Sequence, residues 1–326
     1  MKAAGQPGYL IDPLALPSLA VLAPIMADAS ITKVLHGADY DVTTLKRDFA
    51  FSFAGLFDTM IAARLLGREA YGLQAVALAE LGVALSKGGQ KDDWSRRPLT
   101  PAQEQYALAD VEHLVEIAAR LTEQLVALGR LAWLREECDA VAELPAARRR
   151  QEPDAYQKMK GARDLKPRAL AVLRELHAWR EAMAEGTNIP PFKILQPTTL
   201  LAVAAKPPAP DALARLPELR RYPSEVPVLV AAIERALAVP DAELPRIARE
   251  AWTPVPADVA ARVGALKTLR QKLAKEAGLD ISIVLPQRLI DRVAESRPAS
   301  TDALAEVEGF RRWRAEAWGA QILALL

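Results

Sequence analysis

The spacing of apolar and polar positions changes character along the chain. Over the first 90 residues, short runs rich in apolar and β-branched residues, "GYLID" at 8 to 12 and "ITKVLHG" at 31 to 37, are bounded by proline or glycine, as strands are. Runs with apolar residues three and four apart follow, among them "TMIAARLLG" and "GLQAVALAELG", and a glycine closes the first as a helix C-cap would. This opening predicts an α/β fold. From residue 99 onward the pattern yields no strand. It reads as helix upon helix, dense in Ala, Leu, Arg and Glu and punctuated by proline and glycine.

One of these helices carries candidate chemistry. In "RPLTPAQEQYALADVEHL", Thr100 followed by Pro101, with Gln103 three residues after the threonine, is a capping box with proline at the first helical position. Residues four apart share a helix face, so Tyr106 and Asp110 point the same way with Gln103 one turn below. A bare Tyr-x-x-x-Asp is ordinarily a solvated surface, so its meaning depends on the rest of the chain.

The helical half repeats itself at an offset of about 90 residues. "LHAWREAMAEGTNIPPFKIL" at 176 to 195 lies over "LKTLRQKLAKEAGLDISIVL" at 266 to 285, and "PDALARLPELRRYPSE" over "TDALAEVEGFRRWRAE". Leu176 matches Leu266, Arg180 matches Arg270, and Arg220 with Arg221 matches Arg311 with Arg312. Two helical modules are expected, each with its own core: Val172, Leu176, Trp179 and Met183 in the first, Val263, Leu266, Leu269 and Leu273 in the second.

Composition then narrows the class. A chain of 326 residues holds two or three domains, and 51% hydrophobic with 25% charged residues is ordinary for a globular protein. The net charge of +1 provides no global basic field, so nucleic acid could be met only through local patches. One such patch runs from 148 to 168, where Arg148, Arg149, Arg150, Lys158, Lys160, Arg163, Lys166 and Arg168 are opposed only by Glu152, Asp154 and Asp164. It serves either as a solvated linker or as a phosphate-contacting surface. The single cysteine, Cys138, excludes an internal disulfide and a cysteine-rich zinc site and suits a reducing compartment. No apolar run reaches the roughly 18 residues of a membrane span. Pro7, Pro13, Pro17 and Pro24 interrupt what would be the apolar centre of a signal peptide, which makes a cytoplasmic protein the expectation. There is no phosphate-binding glycine loop, His-Glu-x-x-His or Cys-x-x-Cys, and His36, His113 and His177 are scattered.

With these elements in order, "DDWSRRPLTPAQEQYALADVEHL" resembles the third exonuclease motif of the ribonuclease D family, and "ITKVLHGADYDVTTL" is similar to its second. "LFDTMIAARLLG" and "GLQAVALAELGVALSK" lie between them in the family's order, and "DAYQKMKGARDLKPRALAVLRELHAWREAMAEGTNIPPFKIL" resembles its linker and first HRDC domain. The resemblance implies an α/β, ribonuclease H-like exonuclease domain over residues 1–140, a basic linker over 141–164, and all-α HRDC domains over 165–245 and 255–326. It implies a 3′-to-5′ exoribonuclease that trims tRNA precursors or other structured RNA, working as a monomer with no membrane association. Such enzymes use four carboxylates and a tyrosine to hold two divalent ions, Mg²⁺ or Mn²⁺, against the terminal phosphodiester, because hard cations require oxygen ligands. Carried over by position, Asp110 and Asp41 are metal ligands and Tyr106 orients the attacking water. Asp39 suits helix N-terminal electrostatics instead. His36, Arg148, Arg149, Arg150, Lys158 and Lys160 are the expected nucleic-acid contacts.

The chain departs from the pattern at one point. The family's first motif, an Asp-x-Glu on the leading strand, does not precede "GYLID", and Asp12 cannot replace it, having no glutamate two residues on. The expectation is therefore half a metal site and a sheet missing its first strands, from either a displaced start or a relative that binds RNA without cutting it. The second possibility makes the chain a nucleic-acid-binding HRDC scaffold; a third class is a protein-interaction scaffold. Were the site whole in space, Tyr106, Asp110 and Asp41 would converge on one cleft.

Overall fold

The computed structural model describes all residues except 87, 90, 91, 148–153, 188 and 248–253. The chain divides into two compact units, Met1–Arg148 together with Pro254–Leu326, and Arg149–Thr253. The second is thus spliced into the first.

In the first unit, a short helix α1 (Ala23–Ala27) leads to strand β1 (Lys33–Leu35), helix α2 (Asp39–Phe49), strand β2 (Leu56–Asp58) and helices α3 (Thr59–Leu65) and α4 (Leu73–Leu81). The strands pair in parallel with Lys33 opposite Leu56 and Leu35 opposite Asp58, so the two strand ends that launch α2 and α3 lie side by side. Helices α5 (Pro101–Glu112), α6 (Leu114–Ala127) and α7 (Leu131–Ala142) follow, and α6 and α7 pack against the strands and α3. The run at 31 to 37 thus holds a strand as its pattern requires. The run at 8 to 12 does not: it contributes only one antiparallel bridge, Lys2 to Gly8, and Tyr9 and Leu10 are exposed. A strand exists by virtue of a neighbour to pair with, and this segment's neighbour is a helix, with Gly8 packed on Leu108 and Lys2 paired with Glu112. Among the described residues no strand follows β2, whose three residues are too few to announce themselves by alternation.

The spliced unit is helical: α8 (Pro167–Thr187), α9 (Pro191–Ile194), α10 (Pro197–Ala205), α11 (Pro210–Ala214) and α12 (Val226–Ala238). Proline opens α8 through α11, where its missing N–H costs nothing. The long α8 lies against α9, α10 and α12, burying Leu170, Leu173, Leu176 and Trp179 against Ile194, Leu200 and Ile233, with Met183 half-buried at the margin.

The first unit resumes with α13 (Ala257–Ala277), α14 (Ile281–Val284), α15 (Gln287–Ser296), α16 (Thr301–Ala305) and α17 (Arg312–Leu323). This second helical module does not keep a core to itself. Leu266, Leu273, Ile290, Trp313 and Ile322 belong to one contiguous cluster with Leu65, Leu121, Leu125 and Leu134, while Val263 and Leu269 sit half-buried at its edge. Side chains that sequence periodicity cannot pair explain the merger. Trp133 of α7 stacks on Trp313 with ring centroids 4.3 Å apart, and Glu137 accepts from Trp313 Nε1 at 3.0 Å while pairing with Arg314 at 2.8 Å and Arg311 at 3.3 Å. Glu136 accepts from the backbone N–H of Trp313 at 2.9 Å, at the head of α17. Arg311 and Arg312, the pair that the repeat sets against Arg220 and Arg221, are thereby engaged within the protein, Arg312 with Asp302 at 3.4 Å. Arg130 donates to the carbonyls of Leu65 and Ala277, both at 2.7 Å, tying the ends of α3 and α13. At that junction Gly67 approaches so closely that a Cβ would fall 2.1 Å from the carbonyl oxygen of Gly278, so only glycine fits.

Cys138 lies in this core, accepts from the backbone N–H of Asp58 at 3.3 Å, and has its thiol pushed up to about 12 by burial. A thiol in that state has almost no thiolate at neutral pH. The native protein is expected to leave a disulfide reagent such as DTNB unreacted at pH 8 and to release one equivalent only after denaturation. Prompt reaction of the native protein would contradict the burial.

Candidate active site

The parallel strand ends carry the first group of candidate residues. Asp58, 2% exposed at the end of β2, caps α3. Its Oδ1 accepts from the backbone N–H groups of Gly37 at 3.0 Å, Met60 at 2.8 Å and Ile61 at 3.2 Å, and its Oδ2 from Ala38 at 2.7 Å. One carboxylate therefore satisfies donors from the head of α3 and from the turn between β1 and α2, which fixes where α2 begins. That turn holds His36. Thr59 Oγ1 spends its hydrogen on the carbonyl of Leu35 at 3.0 Å, so at the 2.9 Å contact between His36 Nδ1 and Thr59 Oγ1 the ring nitrogen is the donor. Burial lowers the His36 pKa, only partly offset by Asp58, so the ring is neutral at pH 7 with Nε2 as its remaining acceptor.

Asp41 stands in the first turn of α2, next to Tyr40, which is 74% exposed. It keeps an exposed edge, yet its carboxyl lies above the usual range, because surrounding protein partly desolvates it and Asp39 and Asp58 add like charge. At the other end of α2, Lys46 donates to the carbonyls of Ala142 at 2.6 Å and Leu144 at 2.7 Å, anchoring the helix to the end of α7.

Helix α5 carries the remaining candidates, Tyr106 and Asp110, and its start is as the sequence predicts. Thr100 Oγ1 accepts from the N–H of Gln103 at 3.3 Å, Gln103 Oε1 accepts from the N–H of Thr100 at 2.9 Å, and Pro101 occupies the first turn. The face carrying Leu108 and Glu112 is seated on residues 2 to 8, which leaves Tyr106 and Asp110, offset by two residues and so about 200° round the helix, on a different face. The segment before α5 is pinned as well. Arg97 grips Asp12 with two bonds, 2.6 and 2.7 Å, which hold the Asp12 carboxyl down at about 2. Asp12 is thus committed to an ion pair. Burial raises the Asp110 pKa, and the Tyr106 hydroxyl one turn before it lowers it by less.

Two sets of contacts result: His36, Asp58 and Asp41 around the β1–α2 turn, and Tyr106 with Asp110 on α5. Among the described residues, no group of three or more His, Cys, Asp or Glu side chains is set to hold a metal ion. Lys158 and Lys160 lie in the spliced unit, both exposed, with Lys158 on the rim of a cavity shared with His177, Arg180 and Phe192. Arg168, from the same basic run, is used inside that unit, on the carbonyl of Leu237 at 3.0 Å and on Asp241. Arg148, Arg149 and Arg150 lie outside the described residues. The residue that sequence reasoning missed is Asp58. Its signal was available, an aspartate directly before a helix whose capping side chain must be Asp, Asn, Ser or Thr.

Comparison with known proteins gives this geometry a context. A family of 3′-5′ exonucleases matches residues 3–126, and the HRDC domain family matches residues 169–223 and 259–326. Ribonuclease D of Granulibacter bethesdensis is 33% identical over 315 residues, covering 94% of this chain and 77% of the relative, and that of Pseudomonas paraeruginosa is 31% identical over 332 residues, covering 99% and 85%. The chain belongs to the ribonuclease D family. The crystal structure of Escherichia coli RNase D, described as an exoribonuclease involved in structured RNA processing, superposes with a TM-score of 0.64 at 28% identity, covering 97% of this chain and 84% of that one. A protein from Bifidobacterium adolescentis shares the fold with a TM-score of 0.75 at 23% identity.

Ribonuclease D enzymes are as a family dependent on divalent metal. The donor chemistry here suits such an ion. Asp41 and Asp110 offer carboxylate oxygens, and both are carboxyls whose negative charge the surrounding protein disfavours, which a cation would relieve. The number of donors falls short: the described residues do not by themselves complete a site for two cations.

Proposed function

We propose that this chain acts on RNA as a ribonuclease D-type 3′-to-5′ exonuclease, trimming tRNA precursors or similar structured RNA, as a monomer in the cytoplasm. In this reading Asp41 and Asp110 are anionic ligands for Mg²⁺ or Mn²⁺, and Tyr106 holds the attacking water by its hydroxyl. The observation that carries it is the placing of Tyr106 and Asp110 one turn apart on one face of a capped, doubly seated helix, in a chain of this family. Full activity requires further carboxylates for the second cation, which needs anionic ligands of its own. Asp110→Asn should abolish metal-dependent trimming in any version of the protein that has it. Trimming that survives the substitution would refute the assignment.

A second reading, an RNA-binding scaffold whose exonuclease fold does not cut, is favoured by that shortage of carboxylates. Both readings need RNA contacts, and these are proposed to come from Arg148, Arg149, Arg150, Lys158 and Lys160, with His36 near the terminal nucleotide. Replacing Arg148, Arg149 and Arg150 together with alanine is expected to weaken RNA binding and flatten its salt dependence, because each lost phosphate contact removes roughly one released counterion. The loss should be similar for RNAs of unrelated sequence, since phosphate contacts do not read bases. Fluorescence anisotropy at several salt concentrations measures the slope; an unchanged slope would make the run a linker.

A further inference from the structure

The loop that precedes α5 is built around the ring of Tyr106. Gly89, with φ +93°, lies flat over the root of that ring: a Cβ at this position would fall 2.8 Å from Cγ, 3.1 Å from Cδ2 and 3.2 Å from Cδ1. Both the backbone angle and the space therefore exclude a side chain. Trp94 packs on the same ring, with centroids 5.9 Å apart and planes tilted by 49°, within the range of favourable aromatic pairs. The two walls are joined, because Trp94 Nε1 donates to the carbonyl of Gly89 at 3.0 Å, and the N–H of Asp92 donates to the same carbonyl at 3.2 Å. The assembly is also fixed to the helix that carries the tyrosine. Gln103 Nε2 donates to the carbonyl of Asp93 at 3.2 Å, and Arg97, itself held by Asp12, donates to the carbonyl of Trp94 at 2.8 Å.

We infer that Gly89 and Trp94 are positioning residues that clamp the Tyr106 ring and so hold its hydroxyl on Asp110. The inference rests on the proposed role of Tyr106 and adds what makes that role possible. A tyrosine on a helix surface ordinarily swings between two χ1 wells, and the hydroxyl, at the far end of the ring, moves furthest. Water-orienting chemistry tolerates little such motion, since a misplacement of roughly 1 Å can cost about 10²-fold in rate. The clamp closes the ring from two sides and leaves its hydroxyl end toward Asp110, one turn on. It also explains why Gln103 is buried: it closes the capping box through Oε1 and ties down the loop through Nε2.

The test is NMR of the full chain with ¹³C-labelled tyrosine, the Tyr106 signals being assigned by their loss in Tyr106→Phe. In the native protein the ring signals should be displaced by the ring current of Trp94 and should show slow ring flipping. Trp94→Ala should collapse them to the averaged positions of a free tyrosine, Gly89→Ala should move them by displacing the ring, and Trp94→Phe should restore them in part. Circular dichroism and the other tyrosine signals serve as the folding control. Tyr106 signals unchanged in Trp94→Ala and in Gly89→Ala would overturn the clamp. Asp110→Ala separates this from the site reading, because the Tyr106 Cζ signal should shift when its acceptor is removed. A Cζ signal that does not respond would refute the Tyr106–Asp110 contact, whatever the loop variants do.

Discussion

Asp58→Ala is expected to destabilise the first unit by about 3 kcal/mol or more, although Asp58 is not itself among the proposed metal ligands. One buried carboxylate accepts from four backbone N–H groups on two elements, and truncation strands all of them at once. Ala38 is wholly buried, so its N–H has no access to water as a substitute, and the cap of α3 is lost as well, worth about 1 kcal/mol on its own. For a unit of this size each kcal/mol lowers the melting temperature by roughly 2–4 °C, so a drop near 10 °C should appear by differential scanning fluorimetry. Asp58→Asn should fall between: Oδ1 can be retained for three donors, but the amide group turned toward the N–H of Ala38 opposes donor to donor. A melting temperature within 2 °C or so of wild type for Asp58→Ala would mean that the turn is held by packing alone and that the start of α2 does not depend on this carboxylate.

The same residue illustrates what the sequence conveys and what it withholds. Helix α5 is legible from five letters, because Thr100, Pro101 and Gln103 act only on their own neighbours, and the spacing of Tyr106 and Asp110 fixes their shared face. The two helical modules are legible because their apolar positions repeat. What is hidden depends on partners distant in sequence. "GYLID" has the composition of a strand but packs on a helix, and β2 is too short to show a period. The shared core of the C-terminal module with the first domain rests on Trp133 meeting Trp313 and on Glu137 meeting Arg314, pairs more than 170 residues apart. Asp58 lies between these cases: its capping role is local and readable, whereas its hold on Gly37 and Ala38 exists only because β1 and β2 are parallel neighbours. The cage around Tyr106 needed coordinates, since nothing in the letters sets Gly89 over that ring.

The larger functional effect concerns catalysis. Among the described residues, Asp41 and Asp110 are the carboxylates proposed as ligands, and the second cation of a two-metal centre needs anionic ligands beyond them, because Mg²⁺ gives up its water reluctantly unless such ligands repay it. The 326-residue chain, in which no Asp-x-Glu precedes β1, is therefore expected to trim RNA little or not at all with Mg²⁺ or Mn²⁺. Fusing the Asp-x-Glu strands of a ribonuclease D relative ahead of Met1 should supply two further carboxylates and bring activity with them. In that version Tyr106→Phe should slow trimming by roughly 10²–10⁴-fold, the range for loss of a positioned proton-handling group, and Asp110→Asn should return it to background. The direct measurement is release of the 3′-terminal nucleotide from a 3′-labelled single-stranded RNA, with EDTA as control, by the chain, the fused version and the fused version carrying Asp110→Asn. Silence from the first, EDTA-sensitive trimming by the second and silence from the third is the result expected if Tyr106, Asp110 and Asp41 form the nuclease centre. Robust EDTA-sensitive trimming by the chain alone, or by the fused version despite Asp110→Asn, would contradict it.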